Sequence, residues 1–506
     1  MREPSMFLWS AEAVLRMHQR PMSVKAIYDA ARDAGLLPEN LHGKTPWQTM
    51  KSKLSVHIRQ RKEHSTFVRT AAGRFYLRDL LEGSALIYEA PPWTPPPSNE
   101  MVTVFPSVLL SKNHQFQGVR TAWHSTYNHL LRSQHCLALP RPQAEMTEDF
   151  KQIVTYVLVK RGDLFLAFRR GVYNYTADML RGSDCIGFGG HVNQGDHTLF
   201  STDDAGIADA AFRELAEELV LPAEDMHRLR TGEGLSVVGL LNDDSSSVGR
   251  RHFAVILQYE VSSSSYWDNP IRGEESITRL RWVGQPGVAL DLDEFEYWSQ
   301  LCFRQYAPGL VKTAPSSRVR KRSVFRPPHL LCLVGEVGSG KTEAARTLES
   351  HFGYSVVGTG QVLARLLGIP PVPETPRDVF QRLAEEFIQR RNGPKIMASA
   401  IHEEAEAADS PRVLVDGIRQ LDTLDCLREL YGHRRLALLY VKTAPDIAYA
   451  FYRRRESSSA SIEEFLRVRG APVEQQVPLM LRQADGVLFN WFGRGQFVET
   501  LREILG

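Results

Sequence analysis

The segment that most constrains the fold of this chain is Gly335-Glu336-Val337-Gly338-Ser339-Gly340-Lys341-Thr342. It follows an apolar run at 330–334 and precedes a helix-like segment at 343–352, which is the strand–loop–helix setting of a phosphate-binding loop. In such a loop the glycines free backbone N–H groups for a phosphate, Lys341 adds positive charge, and the Thr342 hydroxyl holds Mg²⁺. A Gly/Ser surface turn can show the same letters, but it lacks this setting. The segment therefore predicts binding of a nucleoside triphosphate such as ATP.

The residues after this loop narrow the interpretation. A helix leads to the short strand Ser355-Val356-Val357, then to a Thr359-Gly360 turn and a second helix. This order resembles adenylate kinase and dephospho-CoA kinase relatives, which have a three-layer P-loop α/β fold. The resemblance implies that Thr359 opens the helix of the acceptor nucleotide and that Arg365 holds the acceptor's phosphate. Gln361 stands where many relatives carry an acid, so the acceptor's identity stays open.

Two later segments fit the same group. The buried strand at 413–416 ends in Asp416, which is placed to act on Mg²⁺ through water, and Arg419 follows it to contact a phosphate. After a central parallel strand at 436–441, a helix carries Arg453, Arg454 and Arg455 where these kinases place lid arginines. A solvated helix face explains the same run equally well. Residues 328–506 are thus predicted to be a nucleotide kinase domain that transfers a γ-phosphoryl group.

A second catalytic pattern lies in the middle of the chain. Gly189-Gly190-His191-Val192 precedes a helix-like segment in which Glu214, Glu217 and Glu218 fall at i, i+3 and i+4 and share one face. Three crowded carboxylates repel each other unless a hard cation such as Mg²⁺ or Mn²⁺ joins them. The two segments resemble the halves of a Nudix box, which implies hydrolysis of a nucleoside diphosphate linked to another group. An exposed acidic helix is the alternative.

The predicted Nudix-like domain spans residues 151–312, with a hairpin around residues 161–163 and a later strand at 253–261. It departs from the family pattern, because Asp196 stands where the first glutamate belongs and Val220 replaces a glycine. A polar insertion within 197–209 is expected to project as a loop and to alter substrate choice. Glu274 or Glu275 is a candidate for a further carboxylate, although acids before a strand are ordinary surface residues.

The first 82 residues show neither pattern. Apolar periodicity predicts three helices, and Phe67-Val68-Arg69 and Arg74-Phe75-Tyr76-Leu77 predict a short hairpin, which together make a winged helix-turn-helix. The sequence of this segment resembles the HARE-HTH family, a DNA-associated module. The resemblance is carried by Pro21-Met22-Ser23-Val24-Lys25-Ala26-Ile27-Tyr28, Gly43-Lys44-Thr45-Pro46-Trp47 and Gly73-Arg74-Phe75-Tyr76-Leu77. The basic residues of this segment imply DNA as the partner, and a protein partner remains the alternative. The basic residues that could contact phosphates are Lys51, Lys53, Arg59, Arg61, Lys62, Arg69, Arg74 and Arg78.

The remaining segments are predicted to be connections. Residues 83–150 form a linker and connector, with a stiff proline-rich stretch at 91–97 and a part at 102–140 that either extends the Nudix-like domain or stands alone. Residues 313–327 form a basic linker. The five scattered cysteines form no Cys-x-x-Cys pair, and no apolar run is long enough to span a bilayer. We therefore expect a cytoplasmic protein without a disulfide frame.

The fold class predicted for the whole chain is multidomain α/β and α+β, combining a winged helix, a Nudix fold and a P-loop kinase. The predicted function is an enzyme of nucleotide metabolism whose hydrolase releases a monophosphate and whose kinase rephosphorylates it. Two alternatives remain open: a DNA-associated regulator that only senses nucleotides, and an enzyme that processes polynucleotide ends. Net charge of +2 is too small to indicate nucleic-acid binding by the whole chain, and the oligomeric state is not predicted.

Overall fold

The computed structural model describes residues 6–37, 46–61, 65–71, 73–81, 88, 100–110, 114–131, 135–171, 182–197, 205–274, 276–325, 330–371, 374–390, 392–432, 435–456, 460–491 and 497–505. The chain divides into two compact units, Met1–Pro97 and Ser98–Gly506. The predicted proline-rich linker at 91–97 lies outside the described residues.

The described part of the first unit contains three helices and a small sheet, as predicted. Its elements are α1 (Met6–His18), β1 (Met22–Ser23), α2 (Val24–Asp33), α3 (Pro46–Arg61), β2 (Phe67–Ala71) and β3 (Arg74–Leu77). The Ser23 hydroxyl caps α2 by accepting from the Ala26 amide, and the sheet has the order β1-β3-β2. Side chains at helical spacing, such as Ala11, Val14 and Leu15, are buried in one cluster with the hairpin residue Phe75. These contacts give the winged-helix arrangement.

The second unit begins with a mixed sheet. Its strands are β4 (Met101–Pro106), β5 (Gly118–Arg120), β6 (Leu137–Pro140), β7 (Phe150–Arg161), β8 (Leu164–Arg170), β9 (Asp184–Cys185), β10 (Gly187–Phe188), β11 (Leu235–Asn242), β12 (His252–Glu260) and β13 (Ile277–Val283). The order is β13-β8-β7-β12-β11-β5, and β7 pairs in parallel with β12. Since β4 also pairs with β7, the segment at 102–140 extends this sheet.

Within the described ranges, seven helices accompany this sheet. They are α4 (His124–Leu130), α5 (Arg141–Ala144), α6 (Ile207–Glu218), α7 (Ala223–Arg230), α8 (Ser247–Arg251), α9 (Tyr297–Tyr306) and α10 (Pro308–Val311). Helix α6 buries Ile207, Ala210, Ala211 and Leu215 in the same cluster as the β7 side chains, while its glutamates lie at its carboxyl-terminal end. This packing sets the direction in which the predicted Nudix glutamates point.

The last third of the chain builds a second sheet. Its strands are β14 (Ser317–Val319), β15 (Leu330–Val334), β16 (Ser355–Gly358), β17 (Val413–Asp416), β18 (Leu436–Lys442) and β19 (Gly486–Phe489), in the order β14-β19-β18-β15-β17-β16. Among these described strands, all pairs are parallel except β14 with β19. Strand β14 lies inside the segment at 313–327 that was predicted to be a linker. Antiparallel pairing with β19 and salt bridges from Arg318 to Asp291 and Asp293 hold this segment in place.

Helices cover this parallel sheet. They are α11 (Lys341–Phe352), α12 (Thr359–Leu367), α13 (Arg377–Ile388), α14 (Gly393–Ala407), α15 (Leu421–Tyr431), α16 (Pro445–Glu456), α17 (Ile462–Arg469), α18 (Val477–Met480) and α19 (Phe497–Leu505). The predicted multidomain α/β and α+β class is therefore confirmed. The strands are continuous apolar runs because helices bury both of their faces.

The two sheets of the second unit are joined by charged contacts and by a shared core. Arg304 of α9 forms a bidentate salt bridge with Asp446 of α16, with N–O distances of 2.8 and 2.9 Å. Lys442 at the end of β18 pairs with Asp293. One cluster of buried side chains contains both Ile153 of β7 and Leu330 of β15. The end of β18 and the start of α16 are therefore held by Asp293 and Arg304, which belong to the part of the second unit that contains the mixed sheet.

A buried carboxylate at α7 gives a test of how this unit is stabilised. Asp225 is fully buried and accepts hydrogen bonds from the Tyr259 hydroxyl (2.5 Å), the Ser262 amide (2.9 Å) and hydroxyl (2.7 Å), and the Trp267 indole N–H (3.0 Å). Burial alone raises the pKa of Asp225, but these donors outweigh it and hold the pKa below its usual value. The ionised carboxylate thus stabilises the folded chain above the unfolded pKa of about 3.9.

We expect Asp225→Asn to lower the free energy of unfolding at pH 7 by about 2–3 kcal/mol, because charge-assisted hydrogen bonds are lost. The difference from wild type should shrink as pH falls below about 4, because the unfolded chain then binds a proton at Asp225 that the folded chain binds only at lower pH. Urea unfolding followed by tryptophan fluorescence measures both effects. Asp268→Asn, which removes an exposed carboxylate, is the matched control. An equal loss in the two variants would contradict the prediction.

Candidate active sites

The loop between β15 and α11 has backbone geometry that requires glycine at two positions. Gly338 and Gly340 have φ angles of +77° and +93°. A Cβ atom at Gly338 would collide with the Ala448 carbonyl oxygen, and one at Gly340 would lie 2.7 Å from the Asn490 side-chain nitrogen. The glycines therefore allow the loop to lie directly against α16 and the end of β19.

The loop is also anchored by side chains from other elements. The Ser339 carbonyl accepts hydrogen bonds from the Thr443 hydroxyl at 2.7 Å and from the Asn490 amide at 2.9 Å. Arg469 of α17 pairs with Glu336 at 2.7 Å. A loop fixed from three sides presents its backbone donors in one arrangement. This rigidity suits binding of a phosphate chain.

Lys341 and Asp416 meet beside this loop. Register pairing of Leu333 with Asp416 places the end of β17 next to the P-loop strand, and the Lys341 ammonium donates to the Gly335 carbonyl. Burial lowers the pKa of Lys341 to about 8 and raises the pKa of Asp416. Within the described ranges, Asp416 Oδ1 and the Ser339 hydroxyl are buried without a hydrogen-bond partner. Buried unpartnered oxygens of this kind are suited to a hydrated cation or a phosphate.

A cavity of about 1190 Å³ opens above the loop. Eight of the predicted site residues line it: Gly338, Ser339, Gly340, Lys341, Thr342, Thr359, Asp416 and Arg419. An apolar wall of the same cavity comes from α12, α13 and α14: Leu363, Phe380, Ala384, Ile388, Met397 and Ile401. The structure therefore brings the predicted donor residues and an apolar wall into one space.

Some predicted residues have other surroundings. Arg365 is not part of the cavity lining and pairs with Glu404 at 2.8 Å. The Arg453 guanidinium lies 5.7 Å from the centre of the Tyr449 ring, whereas Arg454 and Arg455 line the cavity. Among the three arginines, the phase of α16 decides which ones face the cavity, and packing sets that phase. Sequence alone could not choose between them.

Arg419 combines two contacts. It lines the cavity, and its Nε donates to Glu474 Oε1 at 2.8 Å. Glu474 is almost fully buried and was not anticipated, because it lies 55 residues further along the chain in a short 3₁₀ segment. This carboxylate orients Arg419 and offsets part of its positive charge.

The predicted Nudix glutamates lie at the end of α6. Glu218 Oε2 accepts from the Gly189 amide at 2.9 Å, and burial raises the pKa of Glu218 to about 8, with the Glu214 charge acting in the same direction. Gly190 faces Glu214 so closely that a Cβ there would lie 2.5 Å from a carboxylate oxygen. The two segments of the predicted box are therefore in contact.

Arg213 organises the acidic residues around it. It binds Asp196 in a bidentate manner at 2.8 and 2.9 Å, contacts Glu214 at 2.7 Å and lies 3.7 Å from the half-exposed Glu217. The Asp196 carboxylate, at the position of the family's first glutamate, is thus occupied by Arg213. The charge of Glu274 also raises the pKa of Glu218, while Glu275 and residues 198–204 lie outside the described ranges.

A further cluster was not predicted. Glu145, His191 and His252 each offer a ligand atom, and these atoms lie within 4.8 Å of one another. In the described part of the chain they are the one such group, so Glu214, Glu217 and Glu218 do not converge equally tightly. The three residues come from distant segments, and no spacing signal in the sequence connects them. Strand pairing brings the two histidines together, and Glu145 reaches them from the end of α5.

The structure describes the side chains of five of the eight basic residues predicted to contact DNA, and three of these five are exposed. Lys51 and Lys53 are exposed on α3. Arg69 donates to the Ser55 hydroxyl at 2.7 Å, and Arg78 donates to the Ser65 carbonyl at 2.9 Å. Arg74 is exposed and lies 3.4 Å from the Pro21 carbonyl. The side chains of Arg59 and Arg61, and all of Lys62, lie outside the described residues.

Two family models match separate stretches of the chain. Residues 6–80 match the HARE-HTH family model, described as an HTH domain of ASXL and restriction endonuclease proteins, and residues 326–445 match an AAA domain model. The chain thus has a HARE-HTH domain followed, further along, by a P-loop domain. Among the helices of the described ranges, none has the length and apolar content needed to cross a membrane.

Two curated proteins are similar to parts of the chain. Protein YmaB of Bacillus subtilis (strain 168) is 28% identical over 162 residues, which cover 32% of this chain and 73% of that protein. A UPF0200 protein of Pyrococcus abyssi (strain GE5 / Orsay) is 28% identical over 144 residues, which cover 27% of this chain and 74% of that protein.

Solved structures similar to this chain include hydrolases and kinases. Tm1382, described as a Nudix hydrolase, is 21% identical and has a TM-score of 0.32, with 42% of this chain and 100% of that chain covered. Shikimate kinase from Acinetobacter baumannii is 16% identical and has a TM-score of 0.24, with 36% and 94% covered. Deoxyadenosine kinase from M. mycoides is 14% identical and has a TM-score of 0.22, with 35% and 98% covered.

Proposed function

We propose that the P-loop domain transfers the γ-phosphoryl group of ATP to a nucleoside monophosphate. The observation that supports this proposal is the cavity that joins the phosphate-binding loop to an apolar wall. Its volume of about 1190 Å³ exceeds the roughly 300–1,000 Å³ typical of a site for one small ligand. A triphosphate on the loop and an acceptor against the wall fit that space together.

The chemistry follows from the groups around the loop. An oxygen of the acceptor's phosphate attacks the γ-phosphorus of ATP, and the bond to the β,γ-bridging oxygen breaks, leaving ADP. Lys341, Arg419, Arg454 and Arg455 all line the cavity and supply positive charge for the transferring group. The Thr342 hydroxyl and the buried Asp416 Oδ1 fit a hydrated Mg²⁺ ion in the kind of ligand they offer. When bound, Mg²⁺ neutralises phosphate charge.

The apolar wall of the cavity indicates the type of acceptor. Leu363, Phe380 and Met397 offer a surface on which a flat base can pack, and Thr359 and Gln361 add a hydroxyl and an amide beside it. Such a wall favours a nucleotide over a small polar acid. Gln361 is neutral, so it can both donate to and accept from a base edge. Which base it selects is the finer question for experiment.

A panel of acceptors tests this proposal. Labelled ATP is supplied with each nucleoside monophosphate or with 5′-hydroxyl DNA, with and without Mg²⁺. We expect Mg²⁺-dependent label transfer to one or more nucleoside monophosphates. Transfer to DNA alone would favour polynucleotide-end processing, and ATP binding without any transfer would favour a nucleotide-sensing regulator.

We infer a second activity at α6, which is Nudix-type hydrolysis of a nucleoside diphosphate derivative. The supporting observation is the half-buried Glu218 carboxyl, which accepts from the Gly189 amide and is close to the charges of Glu214 and Glu274. These oxygens fit Mg²⁺ or Mn²⁺ in kind, and a cation there would relieve the repulsion among them. A water oxygen would attack one phosphorus of the diphosphate, and the bond from that phosphorus to the bridging oxygen would break. The two products would be a nucleoside monophosphate and the phosphorylated form of the other group. The nucleoside monophosphate is the class of acceptor proposed for the P-loop domain.

For the HARE-HTH domain we propose contact with DNA phosphates through exposed Lys51 and Lys53. Replacing both lysines with alanine should weaken duplex binding by the full chain and reduce its salt dependence, because fewer counterions are released. Fluorescence anisotropy at several salt concentrations measures this. The control is Lys312→Ala, which removes an exposed lysine of the second unit. Failure of the wild type to bind duplex at low salt would contradict the proposal and favour the alternative of a protein partner.

A further inference from the structure

The cluster formed by Glu145, His191 and His252 lies beside the proposed hydrolase residues without belonging to them. Both histidines are held by the central sheet, since His252 opens β12 opposite Gln152 of β7, and His191 is bridged to Val154 of the same strand. Glu145 follows α5 directly. Three elements far apart in sequence thus contribute one side chain each to the same point.

The hydrogen bonding of His252 fixes which of its nitrogens is available. Its Nδ1 lies 2.7 Å from the Val248 carbonyl oxygen, which can only accept, so Nδ1 carries the proton. The neutral ring therefore presents an unprotonated Nε2. Histidines that bind metals are usually oriented in this manner, by donating the other ring N–H to a carbonyl.

The distance between the two imidazoles matches a shared metal. His252 Nε2 lies 3.2 Å from His191 Nε2. Zn–N bonds of about 2.0–2.1 Å in a tetrahedral site place two ligand nitrogens about 3.3 Å apart. Glu145 Oε1 is 4.0 Å from His252 Nε2, so a side-chain movement of less than about 1 Å brings this oxygen to a ligand position.

The surrounding charges decide the class of metal. Arg141 Nε and Arg251 Nη2 lie 3.9 and 4.0 Å from the Glu145 carboxylate, and Arg141 also pairs with Glu100 at 2.8 Å. A hard ion held mainly by charge gains little here, because the arginines offset the carboxylates. A borderline ion such as Zn²⁺ binds imidazole nitrogen strongly and suits this donor set.

We propose that Glu145, His191 and His252 form a binding site for Zn²⁺ or a similar borderline divalent metal, separate from the oxygen-rich site at α6. The site has three protein ligands, so a fourth position is left for water or a substrate atom. His191 follows Gly190, which faces Glu214, and the His191 carbonyl accepts from Arg213 at 3.0 Å. Metal bound here would therefore fix the loop that precedes the proposed hydrolase helix.

The test uses the full chain, stripped with a chelator and then dialysed against Zn²⁺. We expect about one tightly bound zinc per chain, a rise in the unfolding temperature on zinc addition, and at least tenfold weaker binding in His252→Ala and Glu145→Gln. His227→Ala, which removes an exposed histidine of α7, and Glu218→Gln, which alters the oxygen-rich site, should bind zinc as wild type does.

Cobalt replaces zinc as a spectroscopic probe of the site. Because the spectrum is recorded on the wild type, the result does not depend on how well a variant folds. Co²⁺ bound to wild type should show the visible absorption of a tetrahedral site without the thiolate charge-transfer band that the free cysteines would produce. Failure of folded wild type to bind zinc or cobalt, or equal binding by wild type and Glu145→Gln, would overturn the proposal. The two rings would then be joined only by an Nε2–H···Nε2 hydrogen bond.

Discussion

Replacing Lys341 with alanine is expected to reduce phosphoryl transfer from ATP by on the order of 10³-fold, because a charge placed at the transferring phosphate is lost from a largely buried site. The loss should appear mainly in kcat, since the ammonium interacts most strongly with charge that develops during transfer. Steady-state kinetics with the best acceptor of the panel measures it. Hydrolysis of a nucleoside diphosphate derivative by the same variant should be unchanged.

The matched control is Lys312→Ala, which removes an exposed lysine from the same unit. It should retain wild-type transfer. Full transfer by Lys341→Ala would show that this lysine is not part of the reaction and would remove the kinase interpretation of the cavity. A folded Lys341→Ala protein is expected, because the side chain's contacts are with the carbonyls of its own loop, Gly335 and Glu336.

Replacing Glu218 with glutamine is expected to reduce hydrolysis of a nucleoside diphosphate derivative by about 10²–10⁴-fold, the range for loss of a positioned acid–base or ligand group. Glutamine has nearly the same shape and can still accept from the Gly189 amide, so the fold should persist. Release of phosphate-containing products from a panel of such derivatives, with Mg²⁺ or Mn²⁺, measures the effect. Transfer from ATP should not change.

Glu233→Gln is the matched control for this variant, because Glu233 is exposed in the turn before β11. Equal rates for the two variants would mean that the helix is an acidic surface and not a catalytic site. If both proposed reactions occur, the products of the hydrolase should include an acceptor of the kinase. If the hydrolase products include no acceptor of the kinase, the two reactions do not act in sequence, although each proposed activity could still occur.

The described contacts between the two sheets give a physical reason for one chain to hold both sites. Asp446 lies in the first turn of α16, the helix that carries Arg454 and Arg455. Its carboxylate is held by Arg304 and Tyr297 of α9. Glu296 caps the same helix α9 and accepts from the buried Tyr156 hydroxyl of β7 at 2.7 Å. The position of the arginines that line the cavity is therefore set partly by α9, which packs with the mixed sheet of the second unit.

Much of the fold could be read from the sequence, because local patterns specify it. The run at 330–334, the loop glycines and the helix that follows are all determined by neighbours in the chain, and they form as predicted. The same holds for the winged helix, whose Ser23 cap and apolar spacing are local signals. The edge strand β14 was not predicted, because its pairing partner β19 lies far along the chain and a strand of three residues carries no clear signal.

The sites divide in the same manner. The sequence by itself identified the phosphate-binding loop, the acidic helix and the residues that surround them, since backbone donors and i, i+3, i+4 spacing are local properties. Only the tertiary structure decided that Arg454 and Arg455 face the cavity instead of Arg453, that Glu474 orients Arg419, and that Glu145 meets His191 and His252. These facts depend on helix phase and strand pairing between distant segments. Long-range packing determines both, and no local pattern in the sequence records it.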